Sequence, residues 1–353
     1  MVNKAITTAG CRLMKKIQEL DIMAMPISDY NKRYFSGYGI HSLQGGRDPV
    51  KTRIKTWVKR NILGRKNMYP KQYIEIMDIL LHGKTLDDLP QMTFLDHGGG
   101  TGLLSLLAAE LGFGKVYYND IYEVSCHDSA RISEALGHES IIRIQGDFED
   151  IEAYCQKHTI FFDCIGSYDV IEHIYDIKGF LEKITSICSL KSTIFLYSSA
   201  NSYNPFIVKK LSEGHERFER KNREYVFGWK ERDSLRSYAS IREEIIKNEY
   251  TAQCLPEPDR VILDKLVAST RGLMLVDIQN SVRGYIAEGT FPKPDIYFPS
   301  NTCDPMTGNW AEHLMDFSEL LTVLQKSFNI CSLYPEKKYL PKASCIGLYA
   351  RRD

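Results

Sequence analysis

The stretch that decides the fold is Phe94-Leu95-Asp96-His97-Gly98-Gly99-Gly100-Thr101-Gly102-Leu103-Leu104. An apolar run ends in an acid and a glycine-rich turn, and an apolar helical pattern follows up to Leu111. This order predicts a strand, a tight turn and a helix. In such a unit the glycines let the backbone approach a ligand closely, and the first helical amides offer it unpaired donors. The stretch therefore predicts a nucleotide-like ligand at this turn.

The glycine spacing separates two kinds of nucleotide site. A dinucleotide site needs Gly-x-Gly-x-x-Gly, which would require glycine at position 103, where this chain has Leu103. The chain has instead an acid, Asp96, followed by glycines at alternate positions, Gly98, Gly100 and Gly102. This spacing disfavours a nicotinamide-dependent oxidoreductase.

Three further strand-like segments follow the turn in order. Residues 115–120 form an apolar run that ends in Asp120, 18 residues after Gly102. Residues 141–145 precede Gly146-Asp147-Phe148, and residues 162–168 precede Asp169-Val170-Ile171-Glu172-His173. Because these runs alternate with helical patterns, they predict an α/β fold with a mainly parallel sheet.

In this order and spacing the four segments resemble the motifs of the class I S-adenosylmethionine-dependent methyltransferases. Residues 169–173 are similar to the Asp-Val-Leu-Glu-His motif of small-molecule O-methyltransferases of the ubiquinone-biosynthesis type. The resemblance covers residues 94–173. It implies a Rossmann-like, seven-stranded methyltransferase sheet, mostly parallel with an antiparallel final hairpin, and S-adenosyl-L-methionine as the cofactor.

The resemblance also implies a role for each residue at a matching position. The glycine-rich turn would hold the amino-acid end of the cofactor, Asp120 the ribose hydroxyls, and Asp147 the adenine amino group. No metal is implied, because the methyl group of a sulfonium is already activated. The residues expected to bind the cofactor are Asp96, His97, Gly98, Gly100, Gly102, Asp120, Ile121, Asp147, Phe148, Ser167, Asp169 and Tyr34.

Each of these residues also has a plain structural interpretation. Asp120 could be an ordinary acid at a strand end, and Asp147 a turn residue, since Gly-Asp is common turn chemistry. His173 could cap or pack the following helix. Tyr30 and Tyr34 are four residues apart on one helix face and could either cap the sulfonium pocket or pack in the core.

Composition fits an enzyme larger than one ordinary domain. The chain has 353 residues, against a usual ~100–200 per domain, and 43% of them are hydrophobic. Its 45 basic and 45 acidic residues cancel, so a nucleic-acid partner is not expected. Nine cysteines without a Cys-x-x-Cys pair indicate neither a zinc site nor a disulfide framework, and a cytoplasmic location is expected. Neither a secretory signal nor a transmembrane segment is predicted.

We expect four parts along the chain. They are a helical N-terminal extension (1–90), a cofactor-binding core (91–200), a helical lid or substrate-binding insertion (201–325) and a C-terminal β-hairpin that completes the sheet (326–353). The hairpin is predicted from two β-type runs, 328–334 and 344–350. The insertion is predicted because the chain between the fifth strand and this hairpin is longer than the fold needs.

Two segments outside the core motifs leave alternatives open. Residues 51–66 carry seven basic residues and no acid, and could touch a membrane surface or an anionic substrate, or form a solvated helix face. Residues 301–313 are rich in turn formers and contain Trp310 and His313, and could line a pocket or form a helix cap and its loop. A homo-oligomer is compatible with the sequence.

The predicted activity is methyl transfer to a small-molecule acceptor, most simply a hydroxyl of a saccharide or secondary metabolite. A hydroxyl does not lose its proton freely at neutral pH, so a general base should assist. His173, just after the fourth strand, is the first candidate, and His313, His215 and His41 are further candidates. The alternatives are transfer to an amine or a carboxylate, and a catalytically silent cofactor-binding scaffold.

Overall fold

A seven-stranded sheet forms the centre of the computed structural model, which describes residues 2–36, 70–223, 234–293 and 296–352. The basic stretch 51–66 and His41 lie outside the described residues. The strands are β1 (Thr93–His97), β2 (Lys115–Asp120), β3 (Ile142–Gln145), β4 (Phe162–Tyr168), β5 (Cys188–Ser198), β6 (Ile330–Tyr334) and β7 (Ile346–Arg351).

The strand order is β3-β2-β1-β4-β5-β7-β6, with β7 antiparallel to both of its neighbours and the other pairs parallel. This confirms the predicted Rossmann-like fold with its antiparallel final hairpin. Both faces of the sheet are covered, so successive residues of one strand enter different cores. Phe94 of β1 belongs to one apolar cluster and Leu95 to the other.

Helices flank the sheet and extend beyond it. Those before β5 are α1 (Val2–Glu19), α2 (Asp29–Ser36), α3 (Lys71–Leu80), α4 (Leu103–Leu111), α5 (Glu123–Ala135), α6 (Phe148–His158) and α7 (Ile177–Lys183). Those after it are α8 (Pro205–Arg220), α9 (Tyr238–Ala252), α10 (Arg260–Ser269), α11 (Leu275–Glu288) and α12 (Phe317–Leu324). Among the described residues, no helix is both long and apolar enough to span a membrane.

Helices α8 to α11 lie between β5 and α12, and α9, α10 and α11 share an apolar cluster of their own. A buried ion pair between Arg242 of α9 and Glu219 of α8 joins two of these helices, and Thr302 donates to Glu219 at 2.8 Å. Arg242 is fully buried, so this pairing compensates a charge that would otherwise be costly. The insertion therefore has an organised interior.

The N-terminal helices are attached to the core by polar contacts. Arg12 and Lys16 of α1 both pair with Glu110 of α4, at 2.8 and 3.0 Å. Just before α2, the Ser28 amide donates to both carboxylate oxygens of Asp128 on α5, at 3.0 and 3.1 Å, and the Ser28 hydroxyl also donates to it. The Asn31 side chain adds a donor at 2.8 Å. Asp128 therefore anchors α2 on α5.

We expect Asp128→Ala to lower the free energy of unfolding by about 1–3 kcal/mol, because the donors of Ser28 and Asn31 lose their buried acceptor. Glu134→Ala is the matched control, since Glu134 lies on the same helix, is exposed and pairs with exposed Arg131, so about 0.5 kcal/mol or less should be lost. Denaturant unfolding measures both. Equal losses for the two variants would show that Asp128 does not anchor α2.

Candidate active site

The turn after β1 adopts a backbone that requires glycine. Gly98, Gly100 and Gly102 have φ angles of 65°, 51° and 76°, in the left-handed region that L side chains rarely adopt. A Cβ atom added at Gly98 would lie 2.3 Å from a methyl carbon of Val170. The spacing seen in the sequence is therefore set by the path of the backbone around this edge of the sheet.

Asp120 ends β2 and reaches across to this turn. One oxygen of its carboxylate accepts from the Gly100 amide at 3.0 Å, and the other accepts from the Tyr122 amide at 2.9 Å. The Gly99 amide donates to the Asn119 carbonyl at 2.8 Å. The carboxylate is therefore held beside the glycine-rich turn, where the sequence predicts a ribose ligand.

Asp96 lies near the end of β1 and contacts α4. Its carboxylate accepts from the amide and the hydroxyl of Ser105, at 2.9 and 2.6 Å. Burial raises the pKa of Asp96 to about 7. In this structure, therefore, Asp96 joins the end of β1 to the first turn of α4.

His97 occupies the opposite face of β1. Its ring stacks on Phe180 with centroids 5.3 Å apart, and Nδ1 lies 3.0 Å from the side-chain oxygen of Asn119. The Asn119 amide group donates to two backbone carbonyls, so its oxygen faces the imidazole and Nδ1 carries the hydrogen. Burial lowers the pKa of His97 to about 4, so the ring is neutral at physiological pH.

Asp147 and Phe148 lie beside Asp120, because the Gly146 amide donates to the Asp120 carbonyl at 3.0 Å. Asp147 begins α6 as its N-cap and exchanges hydrogen bonds with Asp150, at 3.3 and 3.0 Å. Phe148 is buried edge-on against Phe180, with ring centroids 5.2 Å apart. Asp147 therefore has a structural role as a helix cap. Its predicted contact with adenine stays a prediction.

The motif after β4 contains a buried acid, Glu172, and a half-buried acid, Asp169. Asp169 has a φ angle of 56° and accepts from the Ser199 amide at 2.7 Å. Glu172 is fully buried. Burial and the neighbouring Asp169 raise the pKa of Glu172 well above its usual range, and burial also raises the pKa of Asp169. Both shifts disfavour the charged forms of these two carboxyl groups.

His173 and His313, the two leading candidates for the general base, both lie where residues 310–313 cross the segment that follows β4. His173 places Nδ1 2.7 Å from the Trp310 carbonyl, and its own carbonyl accepts from the Trp310 amide at 3.3 Å. His313 places Nδ1 2.6 Å from the Glu172 carbonyl, which also accepts from the His313 amide at 3.1 Å. These hydrogen bonds hold residues 310–313 against the segment that follows β4. His173 and Trp310 are 137 positions apart in the sequence.

This crossing decides which nitrogen of each imidazole can act as a base. A carbonyl oxygen only accepts, so Nδ1 carries the hydrogen in both His173 and His313. In a neutral ring, Nε2 then carries the lone pair. His313 is buried, which lowers its pKa to about 4, whereas His173 is only half-buried. Of the two, His173 is therefore the better placed to exchange a proton with a ligand.

The remaining predicted residues lie in packed surroundings. His215 is fully buried between Ser300 and the Glu312 carbonyl, both at 3.2 Å, and burial lowers its pKa. Tyr34 is buried in the core beside Phe35, with ring centroids 5.2 Å apart. Ile121 is half-buried directly after Asp120. His215 supports the insertion from within. Tyr34 packs in the core, and its predicted contact with the cofactor stays a prediction.

Several buried polar atoms at the carboxyl edge have no hydrogen-bond partner within the described ranges. They are the hydroxyls of Thr101, Ser125 and Ser167 and Nε2 of His97. Most buried polar groups in proteins are paired, so a group of such atoms marks a place where a ligand or water supplies the partner. Ser125 was not predicted, because a serine in the first turn of a helix has no distinctive sequence pattern. No group of three or more His, Cys, Asp or Glu side chains in the described part could hold a metal ion.

Comparison with known proteins gives partial matches. SMU.776, solved in complex with SAH, is 18% identical with a TM-score of 0.29, and the match covers 35% of this chain and 37% of that one. TrmN from Thermus thermophilus is 20% identical with a TM-score of 0.30, covering 39% and 40%. A SAM-dependent methyltransferase from Agrobacterium tumefaciens is 17% identical with a TM-score of 0.30, covering 37% and 45%.

The chain thus spans less than half the length of each of these three structures. The sequence has no significant match among curated proteins. The methyltransferase domain family, in contrast, matches over residues 70–252, just over half of the 353 residues. That region contains the glycine-rich turn, Asp120 and the motif after β4, and the chain belongs to the methyltransferase domain family.

Proposed function

We propose that this protein is an S-adenosylmethionine-dependent methyltransferase that acts on a small molecule. The observation that carries the proposal is the carboxyl edge of the sheet, where a left-handed glycine turn, the Asp120 carboxylate and unpartnered buried hydroxyls lie together. This edge is where parallel α/β sheets bind their ligands. The donors and acceptors present there suit a ligand with a ribose and an amino-acid group.

Within this proposal, three parts of the chain hold the cofactor. The close backbone approach at residues 98–102 receives the amino-acid end, and the hydroxyl of Thr101 lies in that turn. Asp120 accepts hydrogen bonds from the ribose hydroxyls. Asp147, next to Asp120 through Gly146, accepts from the adenine amino group. When bound, the cofactor supplies a methyl group on a sulfonium.

The chain then has to position the acceptor and remove its proton. Residues 310–313 are hydrogen-bonded to Glu172 and His173 after β4, and we infer that they shield this edge from water, which favours an in-line displacement. His173 is the proposed base, with Nδ1–H fixed on the Trp310 carbonyl and Nε2 accepting the proton. A hydroxyl of a saccharide or secondary metabolite is the proposed acceptor, because a hydroxyl needs such a base.

Calorimetric titration with S-adenosylmethionine and S-adenosylhomocysteine tests the proposal, and we expect micromolar binding of both. An acceptor screen that follows S-adenosylhomocysteine release then separates the alternatives. Release with hydroxylated compounds supports the proposed acceptor, release only with amines or carboxylates overturns it, and binding without any release favours a scaffold. Folded protein that binds neither nucleoside would contradict the proposed function.

Asp120→Ala should weaken S-adenosylmethionine binding by about 1–3 kcal/mol, or roughly tenfold to a hundredfold, because the ribose hydroxyls lose a charged acceptor. Asp163→Ala is a control, since Asp163 lies at the start of β4, at the opposite edge of the sheet from Asp120. Its carboxylate accepts a hydrogen bond from the Thr93 amide. Titration calorimetry measures both variants. An unchanged affinity in folded Asp120→Ala would remove Asp120 from the site.

Asp147 can be tested separately for capping and for binding. Asp147→Ser keeps an N-cap side chain but removes the charge, so we expect stability to be retained and affinity to fall by about 1–2 kcal/mol. Asp147→Ala should lose affinity and also about 1 kcal/mol of stability. Titration calorimetry and denaturant unfolding give the two quantities. Full affinity in the serine variant would leave Asp147 with its capping role alone.

His173→Ala should lower turnover by roughly 10²–10⁴ with the acceptor that the screen selects, while S-adenosylmethionine affinity stays nearly unchanged. The reason is that the base is lost but the residues around the cofactor remain. His158→Ala, at the exposed end of α6, is the control and should keep full turnover. Full turnover in the His173→Ala variant would show that His173 only holds the loop at residues 310–313 in place.

A further inference from the structure

The guanidinium of Arg223 lies on two aromatic rings near the start of the insertion. Its Cζ atom is 4.5 Å from the ring centre of Phe218 on α8 and 5.3 Å from that of Tyr238 on α9. The two rings are stacked with centroids 5.8 Å apart. Cation–π attraction therefore holds the guanidinium at a defined place between two helices.

Two nitrogen atoms of this guanidinium lack a hydrogen-bond partner. Nε and Nη2 of Arg223 are shielded from solvent, and no acceptor reaches them in the part of the chain that the structure describes. The aromatic rings attract the charge but carry no carbonyl or carboxylate oxygen to accept these hydrogens. Arginine stays charged in proteins, so buried donors of this kind are costly when they are left unpaired.

Two other arginines of the insertion show what is missing. Arg242 pairs with Glu219 and donates to the Val267 carbonyl at 3.2 Å. Arg271 donates to Glu216 at 2.8 Å and to the Asn301 carbonyl at 3.0 Å. Both guanidinium groups are satisfied by oxygen acceptors from the protein. Arg223 differs from them, because Nε and Nη2 of its guanidinium have no acceptor among the described residues.

A short series of contacts joins Arg223 to the loop that carries His173. The Arg223 amide donates to the Leu235 carbonyl at 2.6 Å, and the adjacent Ser234 amide donates to Asp304 at 2.6 Å. Cys303, next to Asp304, forms an isolated β-bridge with Trp310. The backbone of Trp310 is in turn hydrogen-bonded to the backbone and the imidazole of His173. A ligand held by Arg223 would thus contact the insertion, which is the part of the chain expected to hold the acceptor.

We propose that Arg223 binds an oxyanion of the acceptor, a carboxylate or a phosphate. Guanidinium N–H groups match either anion in a two-point hydrogen bond, and the unpartnered Nε and Nη2 atoms provide two such donors. The proposal rests on the proposed function, since it names the chemical class of the molecule to be methylated. It narrows the acceptor to a hydroxylated compound that also carries an acidic group.

The test is thermal unfolding of the full chain in inorganic phosphate or in acetate, each compared with chloride at the same pH and ionic strength. The wild type is compared with Arg223→Gln and Arg223→Lys. Arg220→Gln is the matched control, because Arg220 lies three positions before Arg223, at the last residue of α8, but its side chain is 75% exposed and pairs with Glu216. We expect a rise of about 1–3 °C at saturating oxyanion for the wild type and the control.

Arg223→Gln should show no rise, and Arg223→Lys a smaller one, because lysine keeps the charge but not the planar fork. A response to phosphate alone identifies a phosphorylated acceptor, and a response to acetate identifies a carboxylate. No rise in the wild type with either anion, or an equal rise in Arg223→Gln, would overturn the proposal.

Titration of the same samples with S-adenosylmethionine separates this proposal from the function on which it rests. Unchanged cofactor affinity in Arg223→Gln, together with loss of the oxyanion response, supports an anion on the acceptor. Weakened cofactor affinity in that variant would mean that Arg223 binds the carboxylate of the cofactor, and it would overturn the assignment. A wild type that responds to oxyanions but binds no cofactor would contradict the methyltransferase proposal instead.

Discussion

The carboxylate of Asp120 fixes the geometry on which the proposed site depends. It accepts from the Gly100 amide in the turn after β1 and from the Tyr122 amide before α5. Because β1 and β2 are neighbouring parallel strands, their carboxyl ends meet at this point. The turn, the strand end and the start of α5 are therefore held together by one side chain, which is also the proposed ribose acceptor.

The insertion is attached to this framework through both backbone and side-chain hydrogen bonds. It has its own apolar cluster and its own buried ion pair, so most of its packing does not depend on the sheet. Its link to the motif after β4 consists of paired backbone groups and two imidazole donors, from His173 and His313. The same contacts that seat the insertion therefore set the hydrogen on Nδ1 of the proposed base. The proposed acceptor site in the insertion and the proposed base after β4 would therefore be physically connected.

The fold could be predicted because its signals are local. Each of the first four strands is a short, largely apolar run that ends in or is followed by glycine or an acid, and the glycine turn has a backbone that suits this spacing. Helix boundaries are harder to predict: α12 begins at Phe317, because the Asp316 side chain accepts hydrogen bonds from the Ser318 and Glu319 amides.

Contacts between distant parts of the chain could not be predicted from the sequence. The bond between His173 and Trp310 joins segments 137 positions apart, and nothing in either segment indicates the other. Gly146-Asp147 shows the opposite difficulty, because an acid that begins a helix and an acid that binds adenine have the same sequence signature. Tyr34 lies in the core of the structure, and its predicted contact with the cofactor stays a prediction, since an aromatic residue on a helix suits a core and a ligand equally.

The most direct test of the cofactor site is a crystal structure of the protein with S-adenosylhomocysteine. The account predicts the ribose hydroxyls within hydrogen-bonding distance of the Asp120 carboxylate, with the amino-acid end of the ligand against the turn at residues 98–102. A ligand bound at another edge of the sheet, or one with its ribose directed away from Asp120, would contradict the account.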